Sequence, residues 1–399
     1  MYIFFMSLGC DKNLVDSEEM LGALVSHGFE VTDDESQADV IVVNTCCFIH
    51  DAKEESINTI LEMAQYKEQN LKALVVAGCL AERYKDEILK EIPEIDAVLG
   101  TTSYDSIVEA VNTALEENTG EHFEHYESID YLPDNSEVER VVTTGNHMAY
   151  LKIAEGCDKR CSYCIIPKIR GRFRSVPMQE LLNEAKRLAS EGVKELVLVA
   201  QETTLYGKDL TGEKQLPLLL HELCKIEGIE WIRLLYCYPE EITDELIKVI
   251  KTEEKVCNYI DMPIQHSENR ILQRMGRRTS REDLVAVIKK LRKEIPDITI
   301  RTTLITGFPG ESQEDHEGLM NFVEECQFDR LGVFTYSPEE DTLAATFEDQ
   351  IDEEVKEERR DELMSLQQEI SYEHTQQLVG KTIKVMVEGY LFEDDIYVG

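Results

Sequence analysis

Aliphatic and β-branched runs that alternate with helical stripes constrain this chain more than any other feature. Val40-Ile41-Val42-Val43 and Leu74-Val75-Val76-Ala77 carry no polar face. Strands of this kind must be covered on both sides, as in parallel sheets flanked by helices. Tyr2 to Leu8 is a third apolar run. Between the runs, Met20, Leu21, Leu24 and Val25 recur at helical spacing, as do Ile57, Ile60, Leu61 and Ala64. Asp16 followed by Glu19 predicts a capping box at the start of the first of these helices. Residues 1–115 are therefore expected to form an α/β domain with a mostly parallel sheet.

Residues 116–145 lose this periodicity. They carry Glu116, Glu117, Glu121, Glu124 and Glu127, punctuated by Gly120, Pro133 and Gly145, and are predicted to be a linker. Alternation resumes over 146–375, with strand candidates at 149–154, 196–200, 232–236, 259–264, 299–305 and 331–335. Six β/α units predict an open, partial relative of the (β/α)8 barrel. The stretch Asp352 to Glu373, with Val355, Leu363, Leu366 and Ile370, predicts an amphipathic surface helix. From Lys381 onward Ile383, Val385 and Val387 alternate with polar residues, so an incomplete β module is expected over 379–399.

Composition narrows the function. The chain has 399 residues, enough for two or three domains. No apolar run reaches about 18 residues, so no membrane span is expected. Met1 to Ser7 lacks the charged start and apolar core of a signal peptide. Eleven cysteines in a chain expected to be cytoplasmic read as metal ligands or packed thiols rather than disulfides. With 41 Lys+Arg against 80 Asp+Glu, the formal charge is −39. A surface that acidic opposes binding dominated by phosphate contacts and suits a basic partner.

The densest motif is Gly156-Cys157-Asp158-Lys159-Arg160-Cys161-Ser162-Tyr163-Cys164, directly after a predicted strand. Its spacing is C-x3-C-x2-C. Three thiolates on one loop suit three irons of a 4Fe–4S cluster, and the fourth iron stays open to an outside ligand. A structural zinc site would want a fourth protein ligand. The next His or Cys after Cys164 is His221.

This motif, at the first strand of a partial barrel, resembles the radical S-adenosylmethionine (SAM) superfamily. The resemblance implies that the open iron binds SAM and that an electron cleaves it to a 5′-deoxyadenosyl radical, which takes a hydrogen from an unreactive C–H bond. Cys157, Cys161 and Cys164 would then be both cluster ligands and catalytic. Tyr163 matches the position of an aromatic near the adenine. The run Leu304-Ile305-Thr306-Gly307-Phe308-Pro309-Gly310-Glu311 resembles the family's SAM-contacting strand end, although its glycines alone could equally be a turn. Gln201, Glu202, Gln265 and His266 lie just past predicted strands, on the expected active edge, with Gln201, Glu202 and Gly307 the expected SAM contacts. His266 on its own also reads as a structural histidine.

Three further cysteines, Cys10, Cys46 and Cys79, each follow an apolar run of the first domain. Parallel strands end on one edge of the sheet, so distant residues can converge there. Their surroundings, Ser7-Leu8-Gly9-Cys10 with Asn13 and Asp16-Ser17-Glu18, then Asn44-Thr45-Cys46, then Gly78-Cys79-Leu80-Ala81-Glu82-Arg83, resemble the methylthiotransferase family. That resemblance spans the whole chain and makes 379–399 the start of a TRAM domain. It implies that Cys10, Cys46 and Cys79 hold a second 4Fe–4S cluster that presents the sulfur to be installed. Cys47 lies outside the family pattern and reads as a packed thiol, with a slipped choice of ligand as the other reading. Cys224, Cys237, Cys257 and Cys326 stand at non-motif spacings and also read as packed thiols.

The family divides between modifiers of a tRNA adenosine and a modifier of one aspartate on small-subunit ribosomal protein S-twelve. The acidic balance favours the ribosomal protein, or the ribosomal subunit, over tRNA. Ala52-Lys53-Glu54-Glu55-Ser56-Ile57, Ile165-Ile166-Pro167-Lys168-Ile169-Arg170-Gly171 and Tyr336-Ser337-Pro338-Glu339-Glu340 also look like that branch. In the expected reaction one SAM supplies the methyl group and another the radical, which takes a hydrogen from the β-carbon of the aspartate, and the carbon radical captures the methylated sulfur. An electron donor and a sulfur source are further expected partners. Two basic patches stand out. Lys168, Arg170, Arg172 and Arg174 are read as holding carboxylates of SAM or substrate, Arg170 foremost. Arg274, Arg277 and Arg278 form the second.

Overall fold

The computed structural model describes residues 1–116, 122–133, 138–145, 147–392 and 395–399. Of the residues singled out above, Glu117, Gly120 and Glu121 of the linker lie outside these ranges. The chain divides into two compact units. The first holds 1–143, 155–159 and 164–176, and the second 144–154, 160–163 and 177–399.

The first unit is a parallel sheet in the order β2-β1-β3-β4-β5-β6. Its strands are β1 (Tyr2–Ser7), β2 (Glu30–Val31), β3 (Val40–Thr45), β4 (Ala73–Gly78), β5 (Ala97–Leu99) and β6 (Phe123–His125). All of β3 and β4 is buried, as their unbroken apolar runs require. One face packs Met20 and Leu24 of helix α1 (Asp11–Ser26) with Ile107 and Val111 of a later helix. The other packs Ile60 and Met63 of α2 (His50–Ala64), together with Ile165 and Ile169.

Two expectations change here. Helix α1 begins at Asp11, with Cys10 as its N-cap, so Asp16 is no capping residue. It lies in the second turn and is buried for another purpose, described below. The expected linker also contributes β6, whose three residues pair with β5 in register Ala97↔Phe123 to Leu99↔His125. Only three residues and one aromatic mark this strand, too few for a period to show.

The second unit is built on six parallel strands: β7 (Met148–Lys152), β8 (Glu195–Val199), β9 (Trp231–Leu234), β10 (Tyr259–Asp261), β11 (Thr299–Thr306) and β12 (Arg330–Thr335). They form two three-stranded sheets in chain order, β7-β8-β9 and β10-β11-β12. A bridge between Ile232 and Val256 carries the pairing from one to the other. Helices separate successive strands, as in a partial barrel. The long helix α3 (Glu353–Gln376) buries Leu363 and Ile370 and exposes most of its charges. In the last segment, 381–388 joins no strand; Ile383, Val385 and Val387 are more than half exposed. A short antiparallel pair, Gly389–Leu391 with Ile396–Val398, follows. Glu393 and Asp394 lie outside the described residues. Among the described residues no helix is long and apolar enough to cross a membrane.

Candidate functional site

Strands β1, β3 and β4 are neighbours, and each ends at one of the predicted ligands. Cys10 follows β1 by three residues, Cys46 follows β3 directly, and Cys79 follows β4 directly. Two glycines allow the approach. A Cβ on Gly9, whose φ is +91°, would stand 2.7 Å from Cys46 Cβ and 2.9 Å from its Sγ. A Cβ on Gly78, at φ +92°, would meet Asn44 Oδ1 at 2.2 Å. Both positions need the left-handed backbone that glycine adopts without penalty.

The polar residues of this neighbourhood hold the strand ends in place. Asn13 Nδ2 donates to Leu8 O (2.6 Å) and Thr45 O (3.2 Å). Asn44 Nδ2 donates to Asn13 O and Ser17 Oγ, both at 2.9 Å. Thr45 Oγ1 donates to Ala77 O (2.6 Å) and accepts from Leu80 N (3.2 Å). Cys46 is clamped by Ser56, whose hydroxyl accepts from its N–H and donates to its carbonyl. Cys47 donates its thiol to Cys79 O at 3.1 Å.

Arg170 completes this arrangement. Its side chain is 1 % exposed. It donates to Asp16 Oδ2 (3.0 Å), Glu155 Oε2 (2.8 Å) and Asn13 Oδ1 (2.9 Å), all buried. The expectation that it holds a carboxylate of SAM or substrate is corrected here. Two carboxylates of the chain itself already take its charge, which two buried acids require. Burial pushes the Cys79 and Cys46 thiols up, and the Arg170 charge opposes this at both. Arg170 is also within electrostatic reach of Cys10. Each of the three thiols thus lies within electrostatic reach of Arg170. No three His, Cys, Asp or Glu side chains among the described residues are placed to hold a single metal ion. A 4Fe–4S cluster makes a different demand, one thiolate per iron.

Around the second motif, Cys157 is buried, its N–H donates to Gly171 O (3.1 Å), and its Sγ accepts from Lys159 N (3.4 Å). Cys164 is half-buried. Both count with the first unit, whereas Cys161, also buried, counts with the second. The Cys161 segment is tied to the end of a helix turn. Ser162 N donates to Met275 O (2.9 Å) and its hydroxyl to Arg274 O (2.8 Å). Tyr163 is half-buried and stands edge-on to Phe308, their ring centroids 6.5 Å apart.

At the strand ends of the second unit, Gln201 is half-buried and Glu202 fully buried. Glu202 Oε1 accepts from Thr204 N at 3.0 Å and from its hydroxyl. Gly307 has φ +67°, and a Cβ there would fall 2.1 Å from Lys356 Cγ, so the glycine has a packing reason in α3. His266 is buried, accepts from Glu268 N through Nδ1 (3.0 Å) and presents Nε2 to Glu311 at 3.7 Å. Tyr236 (φ +57°) and Gln265 (φ +72°) hold left-handed conformations at strand ends. Such backbone is strained at a non-glycine residue, and Tyr236 gave no signal in the sequence. Of the second basic patch, Arg277 is buried, which its charge concealed. Two surface depressions, of about 530 and 980 Å3, lie on helices of the second unit and include none of these residues.

Residues 2–100 match the model of the uncharacterized protein family UPF0004, and residues 151–323 match the Radical SAM superfamily. Among solved structures, the radical SAM methyltransferase TsrM from Kitasatospora setae aligns with a TM-score of 0.58 at 16 % identity, covering 83 % of this chain and 72 % of that one. The cobalamin-dependent SAM radical enzyme OxsB aligns at 0.56 and 12 %, over 93 % and 56 %. These likenesses show the fold: mixed α/β, with a parallel N-terminal sheet and a radical SAM domain.

Curated relatives narrow this class. The ribosomal protein uS12 methylthiotransferase RimO of Lachnoclostridium phytofermentans is 63 % identical over 100 % of this chain and 90 % of its own length. The RimO of Clostridium perfringens is 53 % identical over 99 % and 87 %. The chain belongs to the RimO family of radical SAM methylthiotransferases. It is an enzyme that uses SAM and 4Fe–4S chemistry.

Proposed function

We propose that this chain converts one aspartate of small-subunit ribosomal protein uS12 to its β-methylthio derivative. In this reading Cys157, Cys161 and Cys164 hold the SAM-binding 4Fe–4S cluster, and Cys10, Cys46 and Cys79 hold the sulfur-presenting one. The observation that supports it best is the set of three thiols at the ends of adjacent strands β1, β3 and β4, each within electrostatic reach of buried Arg170. When bound, the clusters and SAM supply the radical and the methylated sulfur.

The chain's own residues bind, orient and shield. An sp³ C–H beside a carboxylate has no useful acidity near pH 7, so general acid–base catalysis offers little there and the chemistry belongs to the cofactors. Asn13, Asn44, Thr45 and Ser56 fix the strand ends that carry the thiols. Tyr163, backed by Phe308, offers an aromatic wall for the adenine. Gln201, Glu202 and the Gly307 turn are the remaining candidate SAM contacts.

The domain roles follow: 1–115 presents sulfur, 116–145 connects, 146–375 generates the radical, and 379–399 begins a TRAM module. The −39 charge suits a basic ribosomal protein. Electrons and replacement sulfur come from outside the chain, and such a substrate places the enzyme in the cytoplasm. The test is anaerobic reconstitution with SAM, sulfide, a reductant and either small ribosomal subunits or tRNA. A methylthio mass gain on uS12 supports the proposal; a gain on tRNA alone overturns it.

A further inference from the structure

Arg277 is the unusual member of its basic patch. Arg274 donates to Pro309 O (3.1 Å) and Asp349 (2.6 Å), whereas Arg277 is 7 % exposed and forms no ion pair among the described residues. Its Nη2 donates to Pro263 O at 2.7 Å. Its guanidinium carbon lies 4.3 Å from the centroid of the Tyr238 ring. Its Nε and Nη1 are buried and have no hydrogen-bond partner among the described residues.

A permanently charged group with two unmet donors is costly to bury, and such costs persist where a ligand is to fill them. The charge cannot be shed, because guanidinium stays protonated. Burial lowers its pKa, but nearby Tyr163, Tyr238, Cys161 and Glu240 outweigh this and raise it.

The location is set by the backbone. Gly276, next to Arg277, has φ +74°, and a Cβ there would lie 3.1 Å from Arg160 O and 3.7 Å from Cys161 Cα. Ser162 bonds to Met275 O and Arg274 O. Arg277 therefore projects from a segment locked against Cys161 and within electrostatic reach of Tyr163.

We propose that the unmet N–H donors of Arg277 bind a carboxylate beside Cys161. The inference rests on the reading of Cys161 as a cluster ligand. A carboxylate matches a guanidinium in charge and in hydrogen-bonding geometry. Two carboxylates come to such a site: that of the methionyl end of SAM and that of the substrate aspartate.

The test uses anaerobically reconstituted full-length enzyme, with Arg277→Met and Arg277→Lys compared with wild type. Iron per chain and thermal unfolding are measured first. SAM affinity is then read by equilibrium dialysis and by the SAM-induced change in the electron paramagnetic resonance spectrum of the reduced cluster. KM is measured with isolated uS12. Arg277→Met is expected to keep its iron and to weaken one of the two ligands about 10- to 100-fold, the worth of one charge-assisted pair. Arg277→Lys falls between Met and wild type. Weaker SAM binding assigns the SAM carboxylate, and a raised KM with unchanged SAM binding assigns the aspartate. Intact iron with both quantities within twofold of wild type overturns the proposal. If both variants lose their fold, Arg277 is a folding residue and the proposal is also overturned. Failure of the underlying reading looks different: Cys161→Ala would keep the full iron content of wild type.

Discussion

Replacing Arg170 by Met would remove a guanidinium that sits 3.0 Å from Asp16 and 2.8 Å from Glu155. Both acids and Arg170 have side chains no more than 4 % exposed. The variant would leave two like charges buried without a counter-ion. Breaking a buried pair in this way costs about 3–5 kcal/mol. The assay is urea unfolding of the anaerobic apoprotein. The sole tryptophan, Trp231, belongs to the second unit, so the first is followed by alkylation of buried Cys46 and Cys79. In an Asp16→Asn, Glu155→Gln background the same Met substitution should cost about 1–2 kcal/mol, because no buried charge is stranded. A deficit under about 1 kcal/mol at pH 7, or an equal deficit in both backgrounds, would refute the reasoning.

Three further outcomes are expected. Gly9→Ala places a methyl 2.7 Å from Cys46 Cβ at a positive φ, so reconstituted protein should lose about half its iron while the second unit keeps its melting behaviour. Gly307→Ala meets Lys356 Cγ at 2.1 Å and should destabilise by about 2 kcal/mol or more in urea titration, with partial relief from Lys356→Ala. Burial pushes the Cys224, Cys257 and Cys326 thiols up to about 11. Their contribution to apoprotein stability is complete below the unfolded thiol pKa and is lost as pH rises toward 11, so the urea midpoint should fall between pH 9 and 11, and less steeply in Cys257→Ala.

Much of this was legible in the residues. The runs at 40–43 and 74–77 announce buried parallel strands because no polar position interrupts them, and β3 and β4 are completely buried. The C-x3-C-x2-C spacing and the strand-end cysteines mark local chemistry that one sequence can carry. Arg170 was not legible in the same way. Its partners Asn13 and Asp16 stand more than 150 positions away in the chain, and an arginine among other basic residues reads as a surface patch until its burial is known. Asp16 misled for a related reason. An acidic residue three before Glu19 has the form of a cap, but Cys10 starts the helix earlier and the carboxylate is used as a counter-ion. Arg277 differs from Arg274 only through tertiary packing, and β6 is too short to show a period.

The central claim is that two triads hold two clusters with separate duties. It is tested most directly by iron stoichiometry and product analysis of Cys161→Ala and Cys46→Ala beside wild type, all reconstituted without oxygen. Wild type should bind about eight irons per chain and each variant about four. Cys161→Ala should form no 5′-deoxyadenosine, whereas Cys46→Ala should form it and leave uS12 unmodified. Full iron in either variant, or methylthiolated uS12 from Cys46→Ala, would contradict the account.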